Sequence, residues 1–151
     1  MEKKTLNCSE ENKPKLWDKY PVTEMDITKL WVPVPFVDVL PQFPNKPFKE
    51  NLINDIKENG MFFPIMIVHS TKKELLHAKK VFKDGMFNLP FWHNDKRPSS
   101  RLWSVWGGSQ RIDVAQKLGY THIDCAVIPT VIEAHNLQEK MRKPFNDKYY
   151  T

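Results

Sequence analysis

Glycine and cysteine are both scarce in this chain: 5 glycines and 2 cysteines in 151 residues, beside 12 prolines. Cys8 lies in a polar stretch and Cys125 in an apolar one, so there is neither a disulfide framework nor a cysteine metal set. The 5 histidines, at positions 69, 77, 93, 122 and 135, have no zinc-like spacing. No apolar run approaches the ~18 residues of a membrane span. Behind Met1-Glu2-Lys3-Lys4 there is no apolar segment of a secretory signal. These absences exclude small disulfide scaffolds, zinc modules and membrane helices. The expected compartment is a reducing cytoplasm, that of a host if the chain is phage-encoded. What is present is a globular composition, 40% hydrophobic and 27% charged, long enough for one core and too short for two.

With so few glycines, the adjacent pair Gly107-Gly108 is conspicuous. Leu102 to Trp106 before it is rich in Trp and Val and reads as a short strand. After it, Ile112, Ala115 and Leu118 recur at near-helical spacing and Gly119 suits the residue that ends a helix. Strand, two glycines and helix is an anion-binding layout: the first N–H groups of a helix lack internal partners, and glycine lets a phosphate approach the backbone. Gly107, Gly108, Ser109, Gln110 and Arg111 are the candidate phosphate-binding residues, with Arg111 adding a charged fork. Ser109 has no paired base nearby and is read as a hydrogen-bond donor, not a nucleophile. The plain alternative for Arg111 is a structural salt bridge to Asp113 or Asp124.

A second block lies upstream. Asn51 to Gly60 predicts a helix with Leu52, Ile53 and Ile56 inward, and Pro64 to Val68 a buried strand. Together the two blocks resemble the ParB/sulfiredoxin superfamily over about residues 30 to 129. KENLINDIKENGMFFPIMIV is similar to the first ParB block. Gly108-Ser109-Gln110-Arg111 stands where ParB proteins carry Gly-Glu-Arg-Arg, and Trp106-Gly107-Gly108-Ser109-Gln110-Arg111 where sulfiredoxins carry Phe-Gly-Gly-Cys-His-Arg. The resemblance implies an α/β (α+β) fold, a small mixed sheet packed with helices in a single domain. It also implies a nucleotide ligand (CTP, ATP or ADP, alone or with Mg2+) and a DNA-associated role, as in ParB-like proteins of phages and mobile elements.

Two departures limit the chemistry. Ser109 replaces the sulfiredoxin cysteine, so sulfinic-acid reduction is not expected, because a hydroxyl is a far poorer nucleophile than a thiolate at neutral pH. The residues that the resemblance assigns to CTP hydrolysis are Ser109 and Gln110 here. Phosphate binding survives these changes better than hydrolysis. ParB-like nuclease activity would need a metal site that the sequence does not display. The later Glu-Asn-x-x-Arg stretch of ParB proteins is met by His135-Asn136-Leu137-Gln138, which keeps only the Asn. No helix-turn-helix follows, so a complete partition protein is not expected.

The rest of the chain divides into a flexible, loosely held N-terminal arm over 1–26, the domain over 27–143 and a tail over 144–151. Pro33 and Pro35 make Ile27 to Val39 an edge strand or two short extended pieces. Residues 71–101 read as an insert: Thr71-Lys72-Lys73-Glu74 is a capping box, followed by a helix with Leu75, Ala78 and Phe82 inward. The insert has eight basic residues (Lys72, Lys73, Lys79, Lys80, Lys83, Lys96, Arg97, Arg101) and three acidic ones (Glu74, Asp84, Asp95). That excess equals the net charge of the whole chain, +5. Lys72, Lys73, Lys79, Lys80 and Lys83 are therefore candidates for binding DNA or RNA; a solvated face is the plain alternative. Ile123 to Ile128 predicts a further strand, and Thr130-Val131-Ile132-Glu133 opens a closing helix with Ala134, Leu137 and Met141 on one face. A non-catalytic adaptor that keeps the fold for a protein partner is the competing function class.

Overall fold

Ile65, Met66, Ile67 and Val68 are all buried, which a strand achieves only when both faces of its sheet are covered. This strand, β4 (Ile65–Ser70), is central in the computed structural model. The structure describes residues 2–8, 19–31, 46–61, 64–82, 99–106, 109–138 and 140, without the side chains of 46–49, 79, 82, 109 and 110. The other strands are β1 (Thr5–Leu6), β2 (Val22–Asp26), β3 (Leu30–Trp31), β5 (Leu102–Val105) and β6 (His122–Val127). The helices are α1 (Lys46–Asn59), α2 (Lys72–Phe82), α3 (Ser109–Lys117) and α4, residues 131–138.

The sheet is mixed. β4 runs antiparallel to β5 and parallel to β6, and β3 joins the far side of β5 in parallel. β2 lies antiparallel along β6 from His122 to Ala126. β1 pairs with His122–Ile123 and β4 with Cys125–Val127, so these two share the remaining edge of β6 end to end.

Alternation along the strands sends side chains into two cores. Ile65, Ile67, Val105, Ile123 and Cys125 pack with Leu52 and Ile56 of α1 and Ile112, Val114 and Ala115 of α3. Met66, Val68, Trp106, Ala126 and Ile128 pack with Leu75 and Ala78 of α2 and Val131, Ala134 and Leu137 of α4. The expected α/β fold, its three principal strands and its two helix faces are thus found.

The described parts of the N-terminal arm, residues 2–8 and 19–26, are a correction; residues 9–18 lie outside the described ones. Read as a loosely held arm, the described parts contribute β1 and β2 to the sheet, and Leu6 and Tyr20 are buried. The physical reason is non-local: Lys4 donates through its backbone to the Thr121 hydroxyl at 2.9 Å, and its carbonyl accepts from Thr121 and His122 N–H groups at 2.8 and 3.1 Å. The Asn7 side chain and Cys8 N–H both donate to Asp124, at 3.2 and 3.0 Å. Ile27–Lys29, expected as strand, is a short 3-10 turn capped by Asp26, which accepts from Thr28 N–H at 2.9 Å. β3 is at the sheet edge, as the prolines after it predict; residues 32–45 lie outside the described ones.

Candidate phosphate-binding site

β5 delivers the chain to α3 across three residues, Trp106, Gly107 and Gly108. The strand ends at Val105, the Trp106 N–H donates to the Met66 carbonyl at 2.8 Å, and α3 begins at Ser109. The start of α3 therefore stands at the end of the sheet where β4 enters. Gly119 closes the helix at a φ of 85°, as expected for its terminator.

The starts of α2 and α4 meet their first N–H groups with threonine side chains. At α2 the expected capping box forms in both directions: Glu74 N–H donates to the Thr71 hydroxyl at 3.2 Å, and Thr71 N–H to the Glu74 carboxylate at 3.3 Å. At α4 the Glu133 N–H donates to the Thr130 hydroxyl at 3.1 Å, while the Glu133 carboxylate accepts the Tyr20 hydroxyl. α3 follows Gly107-Gly108, which have no side chains to cap it, and its first turn has no acidic residue.

Of the five candidate residues, Gly107 and Gly108 lie outside the described residues. Ser109 and Gln110 form the first turn of α3 through their backbone, and their side chains lie outside the description. Arg111 is on the same turn, but it is only 5% exposed. Its cation is near enough to the Cys125 thiol to favour thiolate. Of the carboxylates considered for it, Asp113 pairs with Lys117 at 3.0 Å and Asp124 accepts from Asn7 and Cys8. Sequence reading placed Arg111 at the helix start but not inside the protein, because its burial depends on the packing of α3 into the core that Cys125 of β6 shares.

Two residues from separate stretches of the sequence meet beside this place. Trp106, fully buried, meets the buried His135 ring edge-on at 6.1 Å, so α4 backs the residue that leads into the glycine pair. His135 follows the buried face of α4, yet nothing local pairs it with a residue 29 positions away. Burial pushes the Cys125 thiol up to about 12, outweighing the Arg111 cation. It likewise pushes the Tyr20 hydroxyl up to about 12, with the Glu133 carboxylate adding to the shift.

These two groups hold their protons longer folded than unfolded. Their contribution is complete below their ordinary values of 9.0 and 10.0 and is lost as pH rises toward about 12. Denaturation midpoints are therefore expected to decline in that window, and Cys125→Ala or Tyr20→Phe to make the decline shallower. A thiol reagent at pH 8 should label Cys125 only after unfolding; rapid labelling of the native protein would contradict its burial.

The candidate nucleic-acid residues are only partly placed. Lys72, Lys73 and Lys80 are on α2, with Lys73 and Lys80 exposed. Lys79 is on the same helix with its side chain outside the description, and Lys83 lies outside the described residues. Arg101 is engaged in the fold, donating to the Glu74 carboxylate at 2.8 and 3.3 Å and to the His69 carbonyl at 2.8 Å. Among the described residues no group of His, Cys, Asp and Glu could hold a metal ion, and no helix is long and apolar enough to cross a membrane.

No protein-family model matches the chain. No curated protein matches it either. In structure it is similar to sulfiredoxin from Arabidopsis thaliana, at 14% identity and a TM-score of 0.43, over 79% of this chain and 97% of that one. It is also similar to the C-terminally truncated chromosome-partitioning protein ParB from Caulobacter crescentus complexed with CTP-γ-S, at 18% identity and a TM-score of 0.45, over 81% of this chain. The chain spans 53% of that ParB chain. At these identities the likeness is one of overall fold alone.

Proposed function

We propose that the chain is a ParB-like phosphate-binding domain that takes a nucleotide (CTP, ATP or ADP, alone or with Mg2+) at the start of α3. The observation that carries this reading is that α3 opens directly after two glycines, with the buried Arg111 in its first turn. α2 and α4 each meet their first N–H groups with a threonine, whereas α3 emerges from Gly107-Gly108 with no capping side chain before it and no carboxylate in its first turn. An anion there is held by backbone N–H groups and by the positive end of the helix dipole. The buried Arg111 cation in the same turn adds to the field, since charge acts more strongly where water is excluded. Ser109 and Gln110 offer no carboxylate to activate a water, so the reading is binding without an assigned hydrolytic step.

Titration calorimetry with CTP, ATP and ADP, with and without Mg2+, is the test. Arg111→Ala is expected to weaken binding by about 1.5–3 kcal/mol, the range for a hydrogen bond to a charged group. Because Arg111 is buried, that variant should also melt earlier, contrary to what its position in sequence suggests. Arg111→Lys keeps the charge but not the planar fork, and should recover part of the affinity. A folded wild-type sample that binds none of the three nucleotides would remove the proposal.

A further inference from the structure

The outer face of α2 combines two features that sequence alone shows separately. Lys73, Leu76, His77, Lys80 and Val81 are all exposed. They fall at i, i+3, i+4, i+7 and i+8, the spacing of one helix face, opposite the buried Leu75 and Ala78. Leu76 and Val81 are 41% and 50% exposed, and Val22 is the only other exposed large hydrophobic among the described residues. The helix therefore holds two of the three, and both are interleaved with lysines. Glu74, its described acidic residue, is turned to Arg101 and neutralised there. What α2 presents outward is basic and aliphatic at once.

We propose that this face docks an acidic amphipathic segment of a partner protein, an extended or helical stretch with aliphatic or aromatic anchors flanked by Asp and Glu. Charge complementarity sets the sign: Lys73 and Lys80 are exposed, and the described acidic residue of α2, Glu74, is paired with Arg101. The aliphatic residues select the class of partner. A phosphate backbone rewards the lysines alone and leaves Leu76 and Val81 without an apolar counterpart. A protein segment covers Leu76 and Val81 at its centre, and its carboxylates meet Lys73 and Lys80 at the rim. The lysine stems extend the apolar area, because their methylenes lie along the surface while the ammonium groups stay in water. This surface is independent of the nucleotide site, so either proposal can fail without the other.

Fluorescence polarisation on the full chain tests it with three labelled probes. One is a synthetic peptide with Leu or Phe at helical spacing and Glu or Asp elsewhere; the second is the same peptide scrambled to break the spacing; the third is short random-sequence duplex DNA. The amphipathic peptide is expected to bind at least about tenfold more tightly than its scrambled form. The double variant Leu76→Gln with Val81→Gln should remove that difference, and Lys73→Gln with Lys80→Gln should weaken binding and flatten its salt dependence. Both pairs replace exposed residues, and glutamine is a good helix former, so unchanged melting curves are expected and are recorded beside each titration. Equal binding of the two peptides overturns the proposal, as does indifference to the Leu76 and Val81 changes. Tight duplex binding that responds only to the lysine changes would assign the face to nucleic acid instead.

Discussion

Trp106→Ala is expected to cost about 3–5 kcal/mol of folding stability, the usual range for removing a buried tryptophan side chain. Trp106 is fully buried and packs in the core that α2 and α4 share with the sheet. Its backbone N–H reaches the Met66 carbonyl at 2.8 Å, prolonging the contact of β5 with β4 up to the glycine pair. Truncation leaves a large cavity, and the close-packed surroundings, among them the His135 ring, can only partly collapse into it. Chemical denaturation read by circular dichroism measures the loss. Phosphate binding should weaken with it at temperatures where the variant is still folded, because the chain leading into α3 has lost its anchor. A cost below about 1 kcal/mol would mean that the site is not packed as described.

The second large effect concerns the N-terminal strand. Gly60 ends α1 at a φ of 74°, and a Cβ there would stand 2.9 Å from the Asn7 carbonyl oxygen. Gly119 ends α3 at a φ of 85°, with nothing within 4 Å of a Cβ. Gly119→Ala should therefore show the backbone penalty alone, about 1–2 kcal/mol. Gly60→Ala carries the same penalty plus a clash with backbone, expected to add about 1–3 kcal/mol, the range for overpacking. The Asn7 carbonyl accepts from Met61 N–H at 3.1 Å, so relief of the clash must loosen the join between β1 and the end of α1. Amide exchange at Leu6 should accelerate in Gly60→Ala and not in Gly119→Ala. Equal costs for the two variants would show that β1 is not held against Gly60 in solution.

The partly placed lysines and the buried arginine show how far local reading reaches. α1, α2 and α3, the strands β4, β5 and β6, the capping box at Thr71 and the glycine ends at 60 and 119 all follow from contacts within a turn or an alternation within a strand. Such features are visible in a window of a few residues. The anion-binding layout at Gly107-Gly108 is of the same kind, since it needs only a strand, two residues without side chains and a helix.

What lay beyond sequence was decided by which elements came to share an edge or a face. A two-residue strand such as Thr5–Leu6 has no readable period, and it joins β6 because Thr121, His122 and Asp124, over a hundred residues away, supply its partners. Arg111 reads as a surface cation at a helix start and is buried near Cys125, where α3 packs into the core shared with β6. The Glu133 carboxylate is placed by sequence in a local capping box, but the tertiary fold brings Tyr20 to it. The inward residues of α2 were legible from their spacing. That Leu76 and Val81 stay exposed among the lysines was settled only when the sheet took Leu75 and Ala78 as the buried face, since a helix pattern predicts which side packs and not what else will cover the other.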